Sequence, residues 1–224
     1  MCGRFTLVSP FVAVTERFHV SAPPDLRPRY NIAPGQDILC VIRDGKNRIE
    51  PLRWGLIPYW AKDPAIGNRL INARAETLTE KPSFRYAFAK RRCLVVADGF
   101  FEWRPAGKRK VPVYITLQSK KPFGIAGLYE IWKAPDGNGV RTCTIITTDA
   151  NDLVRPLHDR MPVILSADAE DRWLDPAEAS CEKLLSCLRP YPPGEMTAYD
   201  VSPAVNNTRH DAPDCILPAM WSVF

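Results

Sequence analysis

The sequence predicts an α+β fold, a single domain over residues 1–224 dominated by antiparallel strands with a few short helices. Three observations carry that prediction. The 22 prolines spread along the whole chain work against long helices, because each removes a backbone donor and crowds the preceding turn. Apolar runs of strand length recur between turn-forming residues. No repeat, low-complexity linker or composition break divides the chain, whose length suits one hydrophobic core.

The elements follow in order. Ser9-Pro10 reads as the N-cap and first residue of a helix carrying Phe11, Val14 and Phe18 on one face. Residues 38–43 and 48–53 flank Asp44-Gly45, the signature of a β-hairpin. Residues 83–90 read as a short helix with Phe84 and Phe88 one turn apart, and 93–97 as a buried strand. Strands at 100–104 and 111–117 are joined by a basic, glycine-containing loop. Strands at 123–129 and 141–147 continue the sheet through a turn at 135–139. Ser166 is placed to cap one helix. Asp175-Pro-Ala-Glu178 reads as a capping box for another, with Cys181, Leu184, Leu185 and Leu188 on its apolar side. A last strand at 196–201 leads into an irregular tail.

Composition narrows the function classes. No apolar run approaches a membrane span, and the N-terminus has no signal-peptide pattern. The expectation is a monomer without a membrane partner, cytoplasmic, or nuclear in a eukaryote. The 7 cysteines are irregularly spaced without a CxxC pair, and only 3 histidines are present, which predicts neither a metal site nor a disulfide framework. No cofactor is expected. Cys40, Cys93 and Cys143 sit in apolar runs as small core residues. The net charge of +5 is a mild lean toward a polyanionic partner. Its clusters at Arg27/Arg29, Lys90-Arg91-Arg92 and Lys108-Arg109-Lys110 read as solvated surface, the second also as favourable charge at a helix end.

Cys2 stands apart from the other cysteines. Removal of Met1 makes it the N-terminus, with an α-amine and a thiol on adjacent carbons. The amine, with a pKa near ~8, is neutral far more often at pH 7 than a lysine. The thiol is the most nucleophilic ordinary side chain. Together they can attack an acyl carbon, or trap an aldehyde as an imine that the thiol closes to a thiazolidine. The alternative is an incidental cysteine.

Other polar residues gather chemistry with equally plain alternatives. Asp98-Gly-Phe-Phe-Glu-Trp103 places Glu102 among aromatics, where a raised pKa suits a general acid or base. An edge strand with Glu102 facing water is the competing reading. His158, between charges in Leu157-His-Asp-Arg-Met-Pro162, titrates near neutrality or is simply structural. His19 and His210 read as structural or exposed. Asn72, Arg74 and Glu76 share a face if extended, as an oxyanion-binding row or an ion-pair ladder. The aromatics of Trp54-Gly-Leu-Ile-Pro-Tyr-Trp60 stack on unpaired bases or pack the core. Nucleophile-elbow, P-loop, dinucleotide and zinc-protease signatures are absent.

These motifs, taken in order, resemble one family. Met1-Cys-Gly-Arg-Phe5, Arg29-Tyr-Asn-Ile-Ala-Pro-Gly35, Trp54-Gly-Leu-Ile-Pro58, Ile71-Asn-Ala-Arg-Ala-Glu76, Asp98-Gly-Phe-Phe-Glu-Trp103 and His158-Asp-Arg-Met-Pro162 follow one another, with Val201-Ser-Pro-Ala-Val-Asn-Asn207 in the tail. The pattern resembles the SRAP (SOS-response-associated peptidase) family. The resemblance implies an α+β fold that binds single-stranded DNA containing abasic sites and shields the lesion in a covalent thiazolidine, largely in a single turnover. It implies that Cys2 supplies amine and thiolate, Glu102 and His158 move protons, and Asn72 holds the open sugar. Arg4 and Arg74 would grip phosphates, and Trp54, Trp60 and Trp103 would touch bases or backbone. The family name also records a peptidase assignment. An N-terminal-cysteine peptidase and a non-covalent single-strand binder therefore stand as competing readings, and abasic-site lyase activity as an accompaniment.

Overall fold

The first strand is paired on both of its edges, which holds the residues just before it against the sheet. The computed structural model describes residues 2–21 and 27–219, so Met1 lies outside the described residues. The strands are β1 (Phe5–Leu7), β2 (Arg29–Ile32), β3 (Asp37–Asp44), β4 (Lys46–Trp54), β5 (Asn72–Arg74) and β6 (Arg92–Ala97). They continue as β7 (Gly99–Ala106), β8 (Arg109–Leu117), β9 (Phe123–Lys133), β10 (Gly139–Asp149), β11 (Arg160–Pro162) and β12 (Met196–Asp200). Four short α-helices are interspersed: α1 (Phe11–Phe18), α2 (Arg85–Lys90), α3 (Ala167–Leu174) and α4 (Cys181–Ser186).

Two sheets result, and the fold is the mixed α+β arrangement expected from the sequence. One runs β12-β8-β7-β1-β2. The other runs β11-β10-β4-β3-β6-β9, and pairing of β9 with β10 closes five of its strands into a small barrel. The barrel interior is packed with buried apolar side chains. Cys40, Cys93 and Cys143 are wholly buried there, as read from their apolar runs. The thiols of Cys40 and Cys143 lie 3.9 Å apart. The predicted hairpin pivots on Gly45, whose φ of 73° lies in the left-handed region that glycine enters without steric cost. Phe84 and Phe88 are both buried, against β6 and its neighbours, and all of β6 is buried.

Side-chain caps differ from the sequence reading. Ser9 does not cap α1; its backbone N–H and hydroxyl both donate to Asp98 Oδ2, at 2.6 and 2.9 Å. Asp98 also accepts from Thr6 Oγ1 and the Val8 N–H, so a buried carboxylate ties β1 to the β6–β7 corner. Ser166 precedes α3 without a side-chain cap. Asp175 and Glu178 do not box a helix either. Asp175 accepts from the Ala177 N–H and Glu178 from the Ser180 N–H, and Ser180 caps α4 by accepting from Lys183 N. Leu184 and Leu188 face the core, whereas Cys181 and Leu185 are exposed. Arg92 is a buried staple rather than surface charge. Its guanidinium donates to the carbonyls of Phe88 and Ala89 at the end of α2, and to those of Trp173, Asp175 and Glu178.

Candidate functional site

Cys2 is carried by β1, and β1 is held on both edges. Phe5 pairs with Ile32 of β2 and with Phe100 of β7, and Phe101 N–H donates to the Arg4 carbonyl at 3.0 Å. Cys2 is completely buried. Asn72 Nδ2 donates to its carbonyl at 2.9 Å, joining the start of the first sheet to the barrel. Burial, seconded by the negative charge of Glu102, pushes the Cys2 thiol up to about 12, so it is a protonated thiol at neutral pH.

β10 assembles the other side. At its C-terminal end it pairs in parallel with β5 on one edge, Ile145 beside Asn72, and antiparallel with β11 on the other, Asp149 opposite Arg160. Asn72 and the residue preceding β11 by one, Asp159, thus flank a common strand although they are far apart in sequence. His158 comes just before. Arg160 locks that segment: its side chain is 9% exposed, with Nη1 on Asp149 and Glu76 and Nη2 on Glu76 and the Thr147 carbonyl. The extended row expected from Asn72 to Glu76 therefore breaks. A 3₁₀ turn over Ala75–Thr77 follows β5, and it delivers Glu76 to Arg160 instead.

Glu102 and His158 line one cleft of about 610 Å³, together with Trp103, Pro105, Lys110, Leu157 and Asn206. Glu102 is 4% exposed, so the water-facing alternative does not hold. Burial raises its pKa from the ordinary 4.5 to about 7, with Asp159 adding to the rise and Lys110 opposing it. Burial lowers that of His158, Lys110 lowers it further, and Asp159 raises it. Nδ1 of His158 has two neighbours whose roles alternate with protonation. The neutral ring accepts from the Arg160 N–H at 2.9 Å, and the protonated ring faces Asp159 Oδ1 at 2.7 Å. Burial favours the first, which leaves the ring proton on Nε2.

The remaining residues singled out in the sequence divide. Trp103 Nε1 donates to Asn206 Oδ1 at 2.8 Å on the cleft wall. Trp54 is buried against Phe5, its Nε1 on the Ile71 carbonyl, so it packs the core rather than offering a face to a base. Trp60 is exposed beside Tyr59 but lines a separate depression with Lys62, Asn68 and Arg69. Arg74 is exposed. Arg4 is turned inward: its Nη1 donates to Asn31 Oδ1 and the Val205 carbonyl, and its guanidinium lies 5.8 Å from the Trp103 ring. Neither arginine lines the cleft. The sequence reading treats Lys110 only as solvated surface, and Asn206 and Arg160 only as parts of quoted motifs.

Among the described residues, His210, Asp214 and Cys215 place ligand atoms within 4.8 Å of one another. His210 Nε2 meets both Asp214 oxygens, at 2.8 and 2.9 Å, an ion-pair geometry in the tail outside the cleft. Among the same residues, no helix is long and apolar enough to cross a membrane.

Comparisons with known proteins show similarity in sequence and in fold. The family model described as SOS response associated peptidase (SRAP) matches residues 1–208. The abasic site processing protein YoqW of Bacillus subtilis is 49% identical over 221 residues, covering 96% of this chain and 99% of its own. The mouse abasic site processing protein HMCES is 34% identical over 208 residues, covering 79% of this chain and 58% of its own. A crystal structure of a Bacteroides thetaiotaomicron protein superposes with a TM-score of 0.90 at 29% identity, covering 98% of this chain and all of the other.

Proposed function

The chain belongs to the SOS response associated peptidase family, and from that premise we propose that it captures abasic sites in single-stranded DNA through a thiazolidine on Cys2. The reading takes residues 1–224 as one domain acting as a monomer wherever the DNA is, in the bacterial cytoplasm or a eukaryotic nucleus. The observation that carries it is that Glu102 and His158 line one cleft while Cys2, bonded by Asn72, lies near enough to Glu102 to feel its charge, beside two relatives named for abasic site processing.

An abasic sugar is mostly a closed hemiacetal, so proton transfer must precede any aldehyde. As the bond from the anomeric carbon to the ring oxygen breaks, His158 in its protonated form, facing Asp159, donates to the ring oxygen while ionised Glu102 accepts from the hydroxyl, which leaves His158 neutral and Glu102 protonated. The Cys2 amine then attacks the aldehyde carbon, and loss of one water gives the imine. The thiol, protonated at neutral pH, adds second: sulfur bonds to the imine carbon and the S–H proton passes by way of Glu102 to nitrogen. A carboxyl with a pKa near 7 can hold and release that proton at comparable cost. Asn72 keeps the Cys2 carbonyl, and with it the amine, in place. Arg74 and Arg4 serve the flanking phosphates, Arg4 chiefly as charge because Nη1 is already bonded. Trp103 offers a ring to the strand, and Trp60 to its more distant nucleotides.

The test is the intact mass of the protein after incubation with a single-stranded oligonucleotide carrying one abasic site. The expected product is heat-stable, with the mass of protein lacking Met1 plus DNA minus one water, and it is absent for Cys2→Ala. No adduct from protein that begins at Cys2 refutes the reading.

A further inference from the structure

Both arginines expected to hold phosphate lie off the cleft, while a nucleic-acid strand that brings a sugar to Glu102 must also bring phosphates there. A buried carboxylate at the cleft floor repels them. Of the seven described residues that line the cleft, Lys110 is the only one with a permanent positive charge. Its placement follows from the β7–β8 hairpin. Pro105 pairs with Lys110 and Trp103 with Pro112, so alternation puts Trp103, Pro105 and Lys110 on one face, opposite to that of Glu102 and Val113. Lys110 is exposed, next to the turn of the hairpin, on the face that also carries Trp103. Resting on the reading above, we propose that Lys110 is the phosphate-binding residue of this cleft, its ammonium receiving the backbone phosphate next to the captured sugar while Trp103 supports that nucleotide.

The same charge reaches the proton-moving groups. Lys110 lowers the proton affinity of both Glu102 and His158. A phosphate seated on Lys110 offsets that influence, so strand binding itself raises the proton affinity of Glu102 as the sugar arrives. Lys110 acts on the chemistry through Glu102 and His158, as a positioning residue.

The experiment measures binding of an undamaged single-stranded oligonucleotide as a function of salt, in the Cys2→Ala background so that no covalent step intervenes. Loss of one phosphate contact lowers the slope of log K against log salt by about 0.7. Lys110→Ala is expected to show that loss and Lys110→Arg to retain the slope. Lys108→Ala, at a hairpin position off the cleft, also leaves it unchanged. In the Cys2 background, the pH dependence of capture by Lys110→Ala moves toward alkaline pH. An unchanged slope for Lys110→Ala overturns the proposal, even if wild-type protein captures abasic DNA normally. A reduced slope upholds it, even if capture fails and the thiazolidine reading falls.

Discussion

Replacing Glu102 with glutamine separates what the site does from what it costs. The carboxyl is 4% exposed and its pKa is raised by burial from 4.5 to about 7. At about 1.4 kcal/mol for each tenfold change in proton affinity, that rise corresponds to about 3 kcal/mol. The sign follows from linkage. The folded protein binds the Glu102 proton more tightly than the unfolded chain does, so folding is favoured at low pH relative to high. The advantage is complete below pH 4.5 and is lost as pH rises through about 7. Glutamine is neutral throughout and carries no such dependence. Glu102→Gln is therefore expected to gain on wild type by up to about 3 kcal/mol between pH 4.5 and pH 8, while capturing abasic DNA ~10²–10⁴-fold more slowly. Denaturant unfolding of both proteins at each pH gives the difference. Any fixed penalty for fitting the amide cancels between the two pH values. Equal pH dependence in wild type and variant would refute the buried, proton-holding carboxylate, whatever happened to capture.

Two further substitutions test the frame around it. Asn72→Ala removes the 2.9 Å hydrogen bond to the Cys2 carbonyl. It is expected to lose about 1 kcal/mol of stability and to slow capture without changing affinity for undamaged DNA, as read by unfolding, adduct kinetics and anisotropy; unchanged kinetics would reduce Asn72 to an anchor. Arg160→Met strands the buried Thr147 carbonyl and frees Glu76 and Asp149. Because both carboxylates are well exposed, the expected loss is about 1–3 kcal/mol, well short of a fully buried pair. Release of the His158 segment should broaden the His158 ring resonances, and a sharp, unshifted ring signal would count against the lock.

Local pattern made the strands, the Gly45 hairpin and the buried β6 legible, because alternation and turn chemistry act within a few residues. It also singled out Glu102 as a perturbed carboxylate. What local pattern cannot carry is the distant partner. Ser9 is chemically a cap, but Asp98, 89 positions away, offers its hydroxyl and N–H a charged acceptor. Continued extension would keep Glu76 on a face with Asn72, and Arg160 draws it into a turn instead. Arg4 is expected from the resemblance to grip a phosphate, but nothing near it in sequence reveals that the Val205 carbonyl, 201 positions on, accepts from its guanidinium. Trp54 belongs to the core because Phe5 and Ile71 close over it. Lys110 passed as solvated charge since the cleft exists only once His158 and Asn206 arrive from elsewhere.

Desolvation links the site's chemistry to its geometry. A chain terminus ordinarily frays, yet β1 is gripped on both edges and Cys2 is held by Asn72 from the barrel. Burial acts on three groups here in the same sense, toward the neutral form. It raises the Cys2 thiol to about 12 and Glu102 to about 7, and it lowers His158. The proposed capture draws on that condition, because a histidine that favours its neutral form gives up a proton readily and a carboxyl poised near 7 can take one up and return it. The same burial penalises an ionised Glu102, so a variant that relieves the penalty gains stability and loses the proton carrier. Reactivity and instability at this site therefore share one physical cause, and no substitution of Glu102 can remove the second while keeping the first.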